Sequence, residues 1–483
     1  MKKMNLLVMS LVSAAALSFT SCSSNDELND NNAGQAKVDG FYMTLNVQTP
    51  NASGTRTVQS NEYNASEAES KITSGKFFLM DSKNKIVFRQ KVENLTWDKT
   101  GKTQLEIPVK DVVAGAEYKV YFLANADSED PLNSTFSTTA TTDNKFVGNY
   151  AKANNFAMFN ENDNNVNGNS YTVTFTDENK SKTNAAKVKT IKLERVTARI
   201  DQPKSEGTKI VAFTEDENHK ATEVEKEAMK DAIDKVDNIE LTRYAISNVA
   251  NTTNIMQKWN DTQLLIPSSA TGFKYIQPTA EFGTKTLFQN EEYFHAIKDT
   301  EGKVNDRKDY VFENNNDNAA TSMYFEYKVT LKDNAGTHKD FPDGTFYRYK
   351  NIIFTSFTDI KEAFKDVNDL FENKTAAALQ KEVEDAKKPT ADSEAELDKL
   401  RQKYDIEIFN EGKTYYKMAI RDRFIGYANA IQRNTVYQLN VKNVFNVGAQ
   451  VPNGTPDKEG LFYLDVEVSV NPWVLNSYDV DLQ

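Results

Sequence analysis

The sequence predicts an all-β fold of two β-sandwich domains, with a helical insertion in the second domain. Short alternating segments recur along the chain, and turn residues rather than amphipathic helices separate most of them. The 28 Phe and 21 Tyr residues recur inside these segments, as is typical of strands. Turn-bounded strands of this kind indicate antiparallel sandwiches rather than a parallel α/β sheet.

The first 22 residues have the parts of an export signal. Lys2 and Lys3 are positively charged, residues 6–17 are apolar, and small residues lead to Cys22. The apolar part is too short for a spanning helix, which needs roughly 20 apolar residues. We therefore expect residues 1–21 to be a lipoprotein signal peptide and Cys22, the only cysteine, to carry the anchoring lipid. The alternative is a signal peptide cut nearby that leaves Cys22 as an unpaired thiol.

Residues 22–56 are predicted to be a polar tether followed by one strand. The tether is rich in Asn and Asp and is typical of a flexible spacer. In the strand, large apolar residues alternate with polar ones, which indicates one buried face. The apolar residues of this strand are Phe41, Met43, Leu45 and Val47.

An exposed polar loop is expected after Pro50, through residue 71. Arg56 and Thr57 lie in this loop among small polar residues, in the kind of segment that proteases favour. Arg89 and Arg401 are other arginines that we expect to be exposed to a trypsin-like enzyme.

Residues 57–203 are predicted to form the first sandwich. Its last strand is read from the segment KVKTIKLERVTARID, which ends just before Pro203. Residues 204–448 are predicted to form the second sandwich. Apolar residues at helical spacing interrupt its strands between about residues 359 and 403, which predicts a helical insertion.

Residues 449–483 are predicted to be a linker and a terminal strand. The linker is rich in Pro, Gly and Asn, and the strand alternates strongly between apolar and polar residues. A terminal strand of this kind completes either its own sheet or the sheet of a neighbouring molecule. Its apolar residues are Phe462, Leu464, Val466, Val468, Val470 and Trp473.

No catalytic or cofactor-binding motif is found. The net charge of −12 and the lack of a basic cluster argue against nucleic-acid binding. His219, His295 and His338 have no metal-ligand spacing, and a single cysteine excludes a thiolate site. Glycine-rich phosphate loops and nucleophile elbows are also missing. We therefore expect a protein that is not an enzyme and that has no cofactor and no metal.

The chain resembles the major subunits of type V pili, the fimbrillins. The signal peptide with Cys22, and the strand followed by Arg56-Thr57, are similar to the family's export signal and maturation site. The segment KVKTIKLERVTARID resembles the family's E-R-x-x-A-R strand. QRNTVYQLNVKNV and VEVSVNPWVLNSYDVDL are similar to the family's last domain strand and its C-terminal polymerisation segment.

The resemblance implies two transthyretin-like sandwiches stacked end to end, and a way of assembling. The precursor would be anchored in the outer membrane by its lipid and cut between Arg56 and Thr57 by an Arg-specific protease. Loss of the first strand would open a groove, which the C-terminal strand of an identical subunit would fill by donor-strand exchange. Accessory and anchor pilins would be further partners in a surface fimbrium that supports adhesion to a host or bacterial ligand.

Two other functions are compatible with the same residues. One is a monomeric β-sandwich surface lipoprotein that binds glycan or protein, for which a cluster of exposed Trp and Tyr would be the hallmark. The other is an accessory tip or anchor pilin. A tip should lack a free donor strand and an anchor should lack a removable first strand, so a shaft subunit fits both ends of the chain best.

Overall fold

The computed structural model describes residues 40–50, 63–98, 101–125, 135–137, 147, 150–162, 170–217, 220–250, 252–260, 263–267, 275–276, 294–388, 393–422, 429–452 and 464–474. These residues fold mainly as β-strands in several sheets, which confirms the predicted β class. All of them belong to one compact unit, Gly40–Gln483.

The strands between residues 41 and 195 are short; some are buried along most of their length, and others bury only one face. In β5, for example, Leu105, Ile107 and Val109 are buried, whereas Gln104 and Glu106 are exposed. This period of two is the pattern of a strand with one face on the core. The strands are β1 (Phe41–Gln48), β2 (Tyr63–Asn64), β3 (Ser74–Met80), β4 (Ile86–Glu93), β5 (Lys102–Val109), β6 (Glu117–Ala124), β7 (Thr135–Ser137), β8 (Ala151–Lys152), β9 (Asn155–Phe156), β10 (Met158–Asn160), β11 (Thr172–Thr174), β12 (Ala186–Lys187) and β13 (Ile191–Arg195).

Nine of these strands form the largest sheet of the described residues. Its order is β12-β1-β13-β10-β6-β3-β4, with β5 paired to β1 and β11 paired to β6. Gly75 on β3 allows the ring of Phe122 on β6 to approach closely, because a Cβ there would lie 2.2 Å from the Phe122 Cζ atom.

The strands after residue 197 form further sheets. The order β2-β30-β29-β14-β23, with β15 on β29, makes a six-stranded sheet, and β22-β16-β24-β28 makes a four-stranded one. The strands are β14 (Ala198–Asp201), β15 (Lys204–Ser205), β16 (Val236–Ser247), β17 (Val249–Ala250), β18 (Thr252–Asn254), β19 (Lys258–Asn260), β20 (Gln263–Leu265), β21 (Tyr275–Ile276), β22 (His295–Ala296), β23 (Lys308–Val311), β24 (Ser322–Leu331), β25 (Phe346–Tyr349), β26 (Ile352–Phe354), β27 (Glu407–Phe409), β28 (Lys413–Ala419), β29 (Thr435–Val444) and β30 (Leu464–Val474).

The segment KVKTIKLERVTARID is not the single strand that the sequence predicts. Its first part pairs in the large sheet as β12 and β13, and its last part pairs with β23 and β29 as β14. The chain therefore changes sheet between Arg195 and Ala198. The domain boundary near residue 203 stays a prediction.

Helices occur in the predicted insertion and at two other places among the described residues. The predicted insertion contains α3 (Phe357–Ala363), α4 (Ala376–Ala386) and α5 (Ser393–Tyr404). These helices pack with β25, β26 and β27 around a separate apolar cluster that includes Phe357, Leu379 and Leu397. The unexpected helix is α1, which lies in the loop predicted to be exposed. The helices are α1 (Glu67–Ser70), α2 (Glu223–Lys235), α3 (Phe357–Ala363), α4 (Ala376–Ala386) and α5 (Ser393–Tyr404). Within the described ranges, no helix is long and apolar enough to cross a bilayer.

Candidate assembly site

The first strand lies inside the large sheet with ladder partners on both sides. β1 pairs antiparallel with β5 over eight residues, from Phe41 opposite Val109 to Gln48 opposite Lys102. On its other side it pairs parallel with β12 and β13. Its predicted apolar face is buried: Met43, Leu45 and Val47 have no exposed surface, and Phe41 is 8% exposed.

Removal of β1 would leave a groove one strand wide. The edges of β5 and β13 that face β1 would lose their ladder partner, and the two strands lie about 10 Å apart at the usual spacing. Leu105, Ile107 and Val109, which lie opposite Leu45, Met43 and Phe41, would line the groove with apolar surface. An unpaired apolar edge of this kind is a template for another strand.

The C-terminal strand pairs with its own chain. β30 runs antiparallel to β29 from Leu464 opposite Val444 to Pro472 opposite Thr435. On its other side, its partner among the described residues is β2, which reaches only Trp473 and Val474. Over Leu464–Asn471, β30 is therefore an edge strand with one neighbour among the described residues.

The apolar face of β30 is incompletely covered in this position. Leu464 and Val470 are buried, whereas Val466 and Val468 are only half-buried. Asp465 and Glu467 on the other face are exposed. The structure therefore groups Leu464, Val466, Val468 and Val470 on one face, as the alternation predicts.

Trp473 is buried where the large sheet meets the six-stranded sheet. Arg195, at the end of β13, donates from Nη1 to the Trp473 carbonyl oxygen at 2.7 Å, and its guanidinium lies 4.1 Å from the centre of the indole ring. Phe156 packs edge-on against the ring, and Tyr310 of β23 stacks on it. Burial lowers the pKa of the Arg195 guanidinium to about 9.

Glu69 in α1 completes this cluster. Its backbone carbonyl oxygen accepts from Arg195 Nε and Nη2 at 3.3 and 3.2 Å. Its carboxylate accepts from Arg199 Nη1 at 3.0 Å and from the Tyr310 hydroxyl at 2.8 Å. Burial alone would raise the pKa of the Glu69 carboxyl. The charge of Arg199 and the hydrogen bonds from Ser66 and Tyr310 outweigh it, so the pKa is lowered.

A second buried ion cluster lies beside the first. Arg433, just before β29, donates from Nη2 to Glu313 at 2.7 Å and from Nη1 to the carbonyl oxygen of Ile255 at 2.8 Å. Glu194 lies 3.6 Å from the Arg433 guanidinium, and burial raises its pKa well above its ordinary value despite that charge. The segment E-R-x-x-A-R thus supplies Glu194 to this cluster, and Arg195 and Arg199 to the other.

Some predicted residues can be located and others cannot. Cys22, Arg56, Thr57, Phe462 and His219 lie outside the described residues.

Arg401 is not the exposed protease site that we expected. It is 5% exposed and donates to the Ile408 carbonyl oxygen at 2.7 Å, because α5 packs against β27. Arg89 is exposed, but it lies within β4.

Sequence reasoning missed Glu69. Its segment is polar and was predicted to be an exposed loop, yet Glu69 is only 2% exposed. The local signal that could have found it is Ser66 with Glu69 three residues later, the spacing of a helix-capping box.

The other two histidines, His295 and His338, lie next to residues that do not form a metal site. His338 Nδ1 lies 2.8 Å from Asp359, and the His295 ring packs edge-on against Tyr244. In the described part of the chain, no group of three His, Cys, Asp or Glu residues could hold a metal ion.

Comparison with known proteins gives one family match. Residues 407–479 match the model of the C-terminal part of fimbrillin, the type IV major fimbrial subunit protein. This range includes β29, β30 and Trp473, and the match confirms the resemblance of this end of the chain. Comparison with curated protein sequences finds no match.

Solved structures with similar chains include two that cover nearly all of this one. A candidate cell adhesion protein of Parabacteroides distasonis has 13% identity and a TM-score of 0.46, over 90% of this chain and 98% of the other. The tip fimbrial protein Mfa3 of Porphyromonas gingivalis, with a C-terminal truncation, has 13% identity and a TM-score of 0.35, over 90% and 99%.

Proposed function

We propose that this fimbrillin-like chain is a structural subunit of a surface fimbria. The precursor is exported as a lipoprotein through Cys22, held at the outer membrane, and cut between Arg56 and Thr57 by an Arg-specific protease. The cut releases β1, and β30 of an identical subunit fills the groove that β1 leaves. Repetition of this contact makes an open filament, which accessory and anchor pilins complete and which supports adhesion.

The observation that carries the proposal is the difference between the environments of β1 and β30. Within the described part of the chain, β1 has ladder partners on both sides and a buried apolar face, whereas β30 has one partner over most of its length and an incompletely covered face. Each apolar side chain that becomes fully buried contributes roughly 1.5–3 kcal/mol. Four such residues in the groove supply something on the order of 10 kcal/mol before entropy costs. Because Leu464 and Val470 are already buried in the closed chain, the net gain on exchange comes from full burial of Val466 and Val468 and from ladder partners on both sides of β30.

The tryptophans support a fimbrial function over the monomeric, glycan- or protein-binding alternative. A binding surface would use exposed aromatic rings, but Trp259 and Trp473 are 1% and 0% exposed. Trp97 is half-buried and donates from its indole nitrogen to the Ile72 carbonyl oxygen at 2.9 Å.

The test is to cut recombinant protein that lacks the signal peptide with an Arg-specific protease. Electron microscopy and SDS gels then follow the product. We expect thin fibres and ladders after cleavage and monomers before it. Arg56→Ala is the matched control and should stay full-length and monomeric. A correctly cut protein that remains a folded monomer would refute the assembly mechanism and favour the monomeric lipoprotein.

A further inference from the structure

The segment Tyr63–Ser70 follows the loop that carries Arg56, so it stays in the chain after cleavage. It contains β2 and α1 and contacts the end of β30. We infer that this segment is a clasp, which holds Trp473 and with it β30 in the chain's own sheet. Polymerisation then requires the clasp to open. The inference rests on the proposed exchange of β30, and it adds a step that regulates this exchange.

The first contact of the clasp is a short ladder. β2 pairs parallel with β30, with Tyr63 opposite Trp473 and Asn64 opposite Val474. The clasp therefore gives this end of β30 a second ladder partner, whereas the described residues supply only β29 to the rest of the strand. A strand with one neighbour peels more readily than a strand with two, because fewer backbone hydrogen bonds must break. The ladder with β2 therefore resists separation of β30 from its sheet at the end of the strand that carries Trp473.

The second contact runs through Arg195. The guanidinium of Arg195 donates to the Glu69 carbonyl oxygen of the clasp and to the carbonyl oxygen of Trp473. One fully buried side chain thus ties the clasp and the C-terminal strand to the end of β13. Lysine could not make both bonds in the same geometry, because it lacks the planar fork of arginine.

The third contact runs through the Glu69 carboxylate. It accepts from the Tyr310 hydroxyl, and the Tyr310 ring stacks on Trp473 with 5.9 Å between ring centres. Arg199 bonds the same carboxylate and is itself bonded to Asp201 at 2.6 Å. The charges around the clasp are therefore balanced in the closed position.

Two features indicate that the closed position, in which β30 pairs with its own β29, precedes assembly and is not the final position of the strand. Trp473 is fully buried, yet its indole N–H finds no acceptor among the described residues. Val466 and Val468 remain only partly buried while β30 pairs with its own β29. Both the unpaired donor and the uncovered apolar surface favour departure of the strand, and the clasp opposes it.

A reversible cross-link tests the inference. Asn64→Cys with Val474→Cys, in a chain that starts at Ser23 and so has no other cysteine, places two thiols across the β2–β30 ladder. The strand spacing of about 4.8 Å suits a disulfide. After cleavage at Arg56, we expect the oxidised protein to stay monomeric and the reduced protein to form fibres like the wild type.

The outcomes separate the inference from the proposed function. If the oxidised protein polymerises like the reduced one, the contact between β2 and β30 need not open for assembly and the clasp is refuted, although the fimbrial function stands. If the cut wild-type protein fails to polymerise, the proposed function fails first, and the inference with it.

A second variant tests the clasp without a cross-link. Arg195→Lys keeps the charge but loses the fork that joins Glu69 to Trp473. We expect the cut protein to polymerise about tenfold faster, since one charge-assisted hydrogen bond is lost from the closed state. Arg243→Lys is the matched control, because Arg243 makes a comparable fork to Glu326, with Nε and Nη2 at 2.9 and 2.6 Å, away from the clasp. Equal rates for Arg195→Lys and the wild type would overturn the inference.

Discussion

Val468→Asp separates folding of the subunit from its assembly. Val468 is half-buried opposite Leu439 in the closed chain, so the substitution removes only part of a side-chain burial there. We expect a cost of about 1 kcal/mol to the monomer. On the proposed exchange, the same side chain would take an inward position in the groove like that of Leu45 or Val47, both of which have no exposed surface.

An unpaired carboxylate in that position costs at least about 4 kcal/mol, which is about a thousandfold in the binding constant. The assay is light scattering and electron microscopy of the protein after cleavage at Arg56, with thermal unfolding of the monomer beside it. Val468→Asp should unfold within a few degrees of the wild type and should form no fibres at concentrations where the wild type does.

Ser469→Asp is the matched control for this experiment. It adds the same charge one residue further along, on the opposite face of β30, where Asp465 and Glu467 are already exposed. It should polymerise nearly as well as the wild type. Normal fibres from Val468→Asp would show that this face of β30 does not enter an apolar groove, and the reasoning would fail.

Three further predictions concern stability. Met43→Ala should lower the unfolding free energy of the uncut precursor by about 2–5 kcal/mol and leave the cut protein unchanged, because β1 is then gone; calorimetry of both forms checks this. Because the pKa of Glu69 is held below its ordinary value of 4.5, its contribution is present above that pH and is lost as the pH falls through the lowered pKa. Denaturant unfolding of Glu69→Gln should therefore differ from the wild type most at pH 7 and progressively less in acid. Gly75→Ala should destabilise the protein by about 1–3 kcal/mol, because its Cβ meets the Phe122 ring, whereas Gly207→Ala, with its nearest atom at 3.5 Å, should have little effect.

The sequence predicts the two strands of the candidate site well because each carries an unbroken period of two. Four large apolar residues in β1 and four in β30 each share a face, and the structure places them so. The helices of the insertion could be predicted equally well from the sequence, since their apolar residues follow the helical period. These are local signals, and neighbours along the chain suffice to produce them.

The cluster around Trp473 could not be predicted from the sequence in this way. Glu69 is buried because Arg199 pairs with it from 130 positions away, and Arg195 reaches Trp473 across 278. No local pattern encodes contacts of that range. The change of sheet between Arg195 and Ala198 escaped prediction for a related reason, because the side chains on both sides of it are buried and the segment reads as one strand.

The most direct test of the account is electron cryomicroscopy of fibres grown from the cut protein. The measurement is the identity of the chain that lies between β5 and β13 of each subunit. The account predicts β30 of an adjacent subunit there, with Leu464, Val466, Val468 and Val470 facing inward and no density for residues 41–48 of the same chain. Fibres in which β1 still occupies that position, or in which β30 remains paired with its own β29, would contradict donor-strand exchange.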